Sequence, residues 1–237
     1  MKKYKSILFL ALVALLYSTF VLFSRQQNKQ KSIETVAINF THPPMLLDEI
    51  AVNKLLTQNL GSKFSLHKDS LDLNMLENQI KSTPEIENAE LFLAPSGILS
   101  LLITERIPLF KLASNPPLFS DASGAVFAFK QIDSVSYPLF STTSATFGLE
   151  VTATLIKTLQ KDPFLARELK SITLEKNQYK LKLKSYGFEV LFGTPNKVKE
   201  KIKKLKVFCA FQNVQDSLGN YKIINLSYDK QVVASST

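Results

Sequence analysis

The sequence has no tryptophan, one cysteine and two histidines in 237 residues. A lone cysteine, Cys209, excludes an internal disulfide and a cysteine-based zinc site. His42 and His67 have no second histidine or cysteine at ligand spacing, which argues against a metal centre and against histidine-based catalysis. Only seven glycines occur, without clustering, so there is no glycine-rich phosphate loop. Serine is plentiful, but no G-x-S-x-G turn presents one as a nucleophile. The expectation is a protein with no catalytic residues, no cofactor, no metal and no small-molecule substrate.

Long apolar runs are also scarce: there is one, at residues 7–23 (ILFLALVALLYSTFVLF), with Ile7 and Phe23 at its ends. Adding Ser6 and Ser24 gives nineteen uncharged residues, which as a helix nearly cross a hydrocarbon core of ~30 Å. Lys2, Lys3 and Lys5 precede the run and orient the N-terminus to the cytoplasm. A cleaved signal peptide would have a shorter core ending in small residues, whereas bulky Phe20, Leu22 and Phe23 stand here. The expectation is a cytoplasmic tail at 1–6, a single transmembrane helix at 7–23 and a polar linker at 24–32, with the rest extracytoplasmic on the inner (cytoplasmic) membrane.

Residues 33–106 read as a small α+β domain. A strand at 33–40 precedes Pro43 and Pro44. A helix at 47–60 follows, with Val52, Leu55, Leu56 and Leu60 on one stripe and Gly61 just beyond it. A second helix covers 74–82 along Leu73, Leu76 and Ile80, with Asn74 and Glu77 as a capping box. Strands at 89–93 and 98–104 flank a Pro95-Ser96-Gly97 turn. Residues 107–237 read as a mostly antiparallel β-domain with flanking helices. Strands are expected at 118–121 and 125–129, a loop at 130–148, and a helix at 150–159. Tyr179, Leu181 and Leu183 alternate with Lys180, Lys182 and Lys184, the period of a half-buried strand, and Phe188, Val190 and Phe192 repeat it. A helix at 196–212 carries the stripe Val198, Ile202, Leu205 and Cys209. Strands close the chain at 221–228 and 231–234.

Most polar candidates have structural explanations. Asp121 sits where a hairpin turn favours aspartate, and Cys209 lies on a core stripe. The lysines of 196–212 read as a solvated face rather than a lipid or nucleic-acid contact; no aromatic residues interleave with them as in a nucleic-acid site. The C-terminal strand differs. Ile223, Ile224, Leu226, Tyr228, Val232 and Val233, with Lys230 and Gln231, form a terminal apolar segment. It can be either an internal strand or a sheet edge open to a partner strand.

Several stretches resemble the bacterial division family FtsQ, also called DivIB. Leu60-Gly61 with Phe64 is similar to the family's link between two helices. Pro84-Glu85-Ile86-Glu87-Asn88-Ala89-Glu90-Leu91 is similar to its P-x-V-x-x-A-x-V stretch. Leu99, Leu101 and Ile103, followed by Thr104-Glu105-Arg106-Ile107-Pro108, resemble its E-R-x-P exit. Phe119-Ser120-Asp121-Ala122-Ser123-Gly124-Ala125-Val126-Phe127 resembles its D-x-x-G-x-V-F hairpin. Val190-Leu191-Phe192-Gly193 before a lysine-rich helix, and Ile224-Asn225-Leu226-Ser227-Tyr228 near the end, resemble two further motifs, with Asn225 and Ser227 where the family has Asp and Arg. The resemblance implies one membrane helix, a POTRA domain at 33–106 with the motif residues Glu105, Arg106 and Pro108 at its exit, and a β-domain at 107–237. It implies a non-enzymatic scaffold at the division septum with FtsB- and FtsL-like partners, a partner strand adding to the last β-strand near Tyr228. The competing readings are a POTRA-bearing helper of outer-membrane or secretion assembly, and a membrane-anchored hydrolase.

Overall fold

The computed structural model describes residues 2–29, 35–60, 72–129, 135–143, 148–214, 221–229 and 231–236. The chain divides into two compact units, Met1–Glu105 and Arg106–Thr237. The first begins with helix α1, Lys2–Lys29. The α1 side chains described, residues 9–24, are exposed apart from half-buried Val21. Among the described residues no helix is long and apolar enough to cross a membrane. Residues 9–24 rise only about 24 Å as a helix, against a core of ~30 Å.

The remaining elements of the first unit are β1 (Thr35–Phe40), α2 (Glu49–Leu60), α3 (Leu73–Lys81), β2 (Ile86–Leu93) and β3 (Ile98–Glu105). This is the strand–helix–helix–strand–strand order that the hydrophobic pattern predicts. β3 is the central strand, parallel to β1 and antiparallel to β2. Ala89 and Leu91 of β2 and Leu99, Leu101 and Ile103 of β3 point to one face, where they bury Val52 and Leu56 of α2 and Leu76 and Ile80 of α3. The expected Asn74–Glu77 capping box does not form. Asp72 caps α3 by accepting from the Met75 N–H at 3.0 Å, so the helix begins before Asn74. Glu77 is instead a tertiary brace, accepting the Leu91 N–H at 2.7 Å. Glu105 closes the unit: its carboxylate accepts the N–H groups of Met45 at 2.7 Å, Leu46 at 3.2 Å and Leu47 at 2.7 Å. It thereby fixes the chain just ahead of α2.

The second unit runs β4 (Phe110–Leu112), β5 (Leu118–Ser120), β6 (Val126–Ala128), β7 (Leu139–Thr142), α4 (Leu149–Gln160), α5 (Pro163–Glu168), β8 (Leu169–Glu175), β9 (Gln178–Leu183), β10 (Glu189–Gly193), α6 (Val198–Val214), β11 (Ile223–Asn225) and β12 (Val233–Ser235). All twelve of its elements contribute to one nine-stranded sheet or pack on it, in the strand order β12-β11-β10-β9-β8-β7-β4-β5-β6. The sheet is mixed: β4–β7, β7–β8 and β10–β11 are parallel and the other pairs antiparallel. The alternation along β9 is realised, with Tyr179, Leu181 and Leu183 buried against Leu155, Ile156 and Leu159 of α4, Leu165 of α5 and Ile202, Leu205 and Cys209 of α6. Helices therefore cover one face, and Lys180 and Lys182 stand on the other.

Two sequence expectations are corrected here. Residues 130–148 are not all loop, because β7 lies within them. Pro138 and the Ser/Thr composition hide a strand held from both sides, by β4 and β8, with Phe140 buried edge-on against Phe110 at 5.8 Å. The terminal strands are also shorter than 221–228 and 231–234, each being three residues long.

Asp121 is a structural carboxylate. It is 4 % exposed, Oδ1 accepts from Ser123 N (2.8 Å), Ser123 Oγ (2.7 Å) and Ala125 N (3.0 Å), and Oδ2 pairs with Arg106 at 2.7 Å. Gly124 completes the turn at φ +88°; a Cβ there would meet Glu150 N at 2.7 Å. Burial works to raise the Asp121 pKa, but the bonds from Ser123 and Arg106 outweigh it and hold the carboxyl below its ordinary 3.8. A depressed carboxyl stabilises the fold above its unfolded pKa, and that contribution is lost as pH falls through the folded value. Asp121→Asn should therefore cost about 2 kcal/mol at neutral pH in urea unfolding, with the gap to the parent closing in strong acid.

Candidate partner-binding edge

The sequence groups eight C-terminal residues as one binding segment; the structure separates them. β11 is bonded on both sides, parallel to β10 and antiparallel to β12. Ile224 and Leu226 are fully buried in the core of the unit, and Ile223 is half-buried. Ile224 and Leu226 are thus unavailable to a partner, because the alternation that makes them apolar turns them towards α6. The edge at this end of the sheet belongs to β12, which among the described strands pairs with β11 alone. Tyr228 is 50 % and Val233 39 % exposed, Gln231 is exposed and Val232 half-buried. Lys230 lies outside the described residues.

α6 holds this edge in place. Lys204 Nζ donates to the carbonyls of both Leu226 and Tyr228. Lys197 pairs with Asp229 at 2.9 Å. Leu226 N donates to Leu191 O at 2.9 Å, and Ser227 N to Asn225 Oδ1 at 2.9 Å. Gly193, at φ +76°, lets Ser227 approach: a Cβ there would sit 2.7 Å from Ser227 Oγ. An edge-on ladder of rings, Phe188, Phe208 and Tyr221 with centroids 5.6 and 5.7 Å apart, ties β10, α6 and the approach to β11. Lys201 serves the same helix from inside. The residue is 5 % exposed, and its ammonium donates to Thr194 O and Asn196 Oδ1 at 2.8 Å and lies 5.0 Å over the Phe192 ring. Burial pushes its pKa down, helped by the like charge of Lys204.

Beside the edge, α6 and the C-terminal segment enclose a groove of about 380 Å³ lined by Lys203, Lys204, Val207, Phe208, Phe211, Gln231 and Val232. Val207 is 63 % and Phe211 48 % exposed. Reading the helix as a core stripe opposite a solvated lysine face misses these two. The signal was present: Val207, Phe211 and Val214, spaced four and three, make a second apolar stripe. Cys209 is buried on the first stripe, as expected, and burial raises its thiol to about 11.

A family model described as FtsQ/DivIB, C-terminal related matches residues 107–235, more than half of the chain. The chain belongs to the FtsQ/DivIB C-terminal related family. No curated protein matches the chain significantly. The family match ends at Ser235, the last residue of β12, and so takes in the edge, the groove and the α6 clamp.

The other predicted site residues lie elsewhere. Glu105 ends β3, Arg106 pairs with Asp121 in the second unit, and Pro108 is buried. Phe23 is 63 % exposed on α1; the side chain of Ile7 lies outside those described. His42 is exposed and His67 lies outside the described residues.

The clamp makes a testable claim. Lys204→Met should speed amide hydrogen exchange about tenfold in residues 226–235 and leave β8 and β9 unchanged. Lys204→Arg, which keeps a charged donor, should restore much of the protection.

Proposed function

We propose that this protein is a non-enzymatic scaffold of the bacterial division machinery, which captures a partner strand on β12 and partner side chains in the groove of α6. The observation that carries the reading is an open, clamped strand edge beside an exposed apolar groove, both within the part that matches the division family. A three-residue edge offers a partner about two main-chain hydrogen bonds, about 1–3 kcal/mol net. Micromolar binding needs about 8 kcal/mol, so side-chain anchors must supply most of it. Tyr228, Val233, Val207 and Phe211 are the exposed apolar groups at hand, and buried aromatics commonly dominate such interfaces. The partner is a division protein of the FtsB or FtsL kind, presenting an extended segment with apolar residues flanked by acidic ones that meet Lys203.

Residues 33–106 serve in this reading as a POTRA-like domain that recruits further division proteins. α1 is its anchor in the cytoplasmic membrane at the septum. The uncharged run starts at Ile7, two residues before the described side chains. Lysines at both ends can extend their ammonium groups to the interfaces, which lets a 17-residue run match a thinned bilayer. In this reading Lys2, Lys3 and Lys5 hold the N-terminus in the cytoplasm, with residues 33–237 outside.

Two measurements test this. Tyr228→Ala in the full chain should weaken binding of a synthetic extracytoplasmic segment of the FtsB-like protein from the same cell by about thirtyfold; unchanged affinity rejects the edge. Alkaline carbonate should leave the full chain in the membrane pellet; quantitative release rejects the anchor.

A further inference from the structure

One end of the nine-stranded sheet, where β8, β9, β10 and β11 meet, carries a second feature, distinct from the groove of α6. A cavity of about 440 Å³ is lined there by Lys170, Lys182, Lys184, Lys222, Glu189 and Tyr186, among others. Its four lysines come from four separate places: β8, β9, the residue after β9, and the residue before β11. This differs from a run of lysines along one helix, which needs no more than a solvated face. Here the backbone delivers each charge. Lys184 N donates to Glu168 O at 2.8 Å, Lys222 N to Ser235 O at 2.8 Å, and Glu189 N to Lys222 O at 2.8 Å. The irregularity between Leu169 and Ser171 brings Lys170 to the same end of the sheet.

The charges are not balanced within the protein. Lys180, the next lysine along β9, is paired with Glu175 at 2.6 Å. None of the four cavity lysines forms an ion pair among the described residues. Four lysines thus line a concave site with one carboxylate, Glu189, which leaves a local excess of positive charge that favours an anion.

We propose that this cavity binds a phosphate ester that carries a neighbouring hydroxyl or amine. A phosphate monoester brings a charge near −2 and three acceptor oxygens, enough to be shared among several ammonium groups. A carboxylate brings one charge and two oxygens and leaves most of the lysines uncompensated. Glu189 repels a bare anion but accepts a hydrogen bond from a hydroxyl or amine beside the phosphate. The volume falls in the range of small-ligand and headgroup sites, ~300–1,000 Å³. Two sources supply this chemistry: the monoester headgroup of a lysophosphatidate, with its free hydroxyl, and a soluble phosphorylated polyol or sugar. The proposal stands on the lysine geometry alone and does not depend on strand capture at β12.

The test is titration calorimetry of the full chain in neutral-detergent micelles with glycerol 1-phosphate, octanoyl-lysophosphatidate and a polyglutamate peptide. Lys182→Gln with Lys222→Gln should weaken phosphate binding by at least about tenfold. Lys157→Gln with Lys199→Gln removes the same charge from exposed helix positions and should change it less than about twofold. Binding of both phosphate probes supports recognition of the phosphate group itself; binding of the lipid alone supports the headgroup source. The proposal is overturned by failure of both probes to bind, by equal losses in the two double variants, or by polyglutamate binding as tightly as the phosphates.

Discussion

The ammonium group of Lys204, bonded to the carbonyls of Leu226 and Tyr228, is the constraint on which the C-terminal edge depends. β11 and β12 are three residues each, too short to hold a register by ladder bonds alone. Their order comes from α6. Ile202, Leu205 and Cys209 bury Ile224 and Leu226 from beneath, while Lys204 grips the backbone that follows and Lys197 pairs with the Asp229 carboxylate. The edge is therefore presented on a rigid helix rather than on a loose tail. A receiving strand with little freedom left to lose is the cheaper one to dock against.

The excess of lysine, which as a sum gives only a charge of +9, divides into distinct tasks once placed. Lys201 is buried, bonds a carbonyl and an amide oxygen, and sits over an aromatic ring. Lys197 and Lys204 hold backbone and Asp229. Lys206 braces α5 through Asp162, whose carboxylate also caps that helix by accepting from Phe164 N and Leu165 N. Lys170, Lys182, Lys184 and Lys222 converge on a cavity with no ion pair among the described residues. Net charge could not distinguish these roles, because each depends on which backbone oxygen or ring lies within reach.

The elements with a long, clean period were legible in the sequence. Tyr179 to Lys184 alternates without a break, and the stripe Val198, Ile202, Leu205, Cys209 marks the buried face of α6. Asp121 reads as a turn residue and is one, although its pairing with Arg106 is visible only in the fold. β7 was hidden because four residues carry little periodicity and its hydrogen-bond partners lie in β4 and β8, distant in sequence. Asn74 resembled a cap because Asp72, a better one, stood just outside the window. The candidate site was legible in part. Tyr228 and Val233 are exposed near the edge as a binding role requires, but Ile224 and Leu226 show the same apolar character for the opposite reason, burial in the protein's own core. Which side of a terminal strand is open depends on sheet order, and sequence alternation does not encode sheet order.

Membership in the FtsQ/DivIB C-terminal related family connects this chain to cell division, and the proposed mode of action is capture of a guest strand by β12. The most direct measurement is isotope-edited NMR on a labelled FtsB-like extracytoplasmic segment bound to the unlabelled full chain. The account predicts cross-strand contacts between backbone protons of the segment and those of Val233–Ser235, together with side-chain contacts to Val207 and Phe211. Contacts confined to the first unit, or to β6 at the far edge of the sheet, would contradict it.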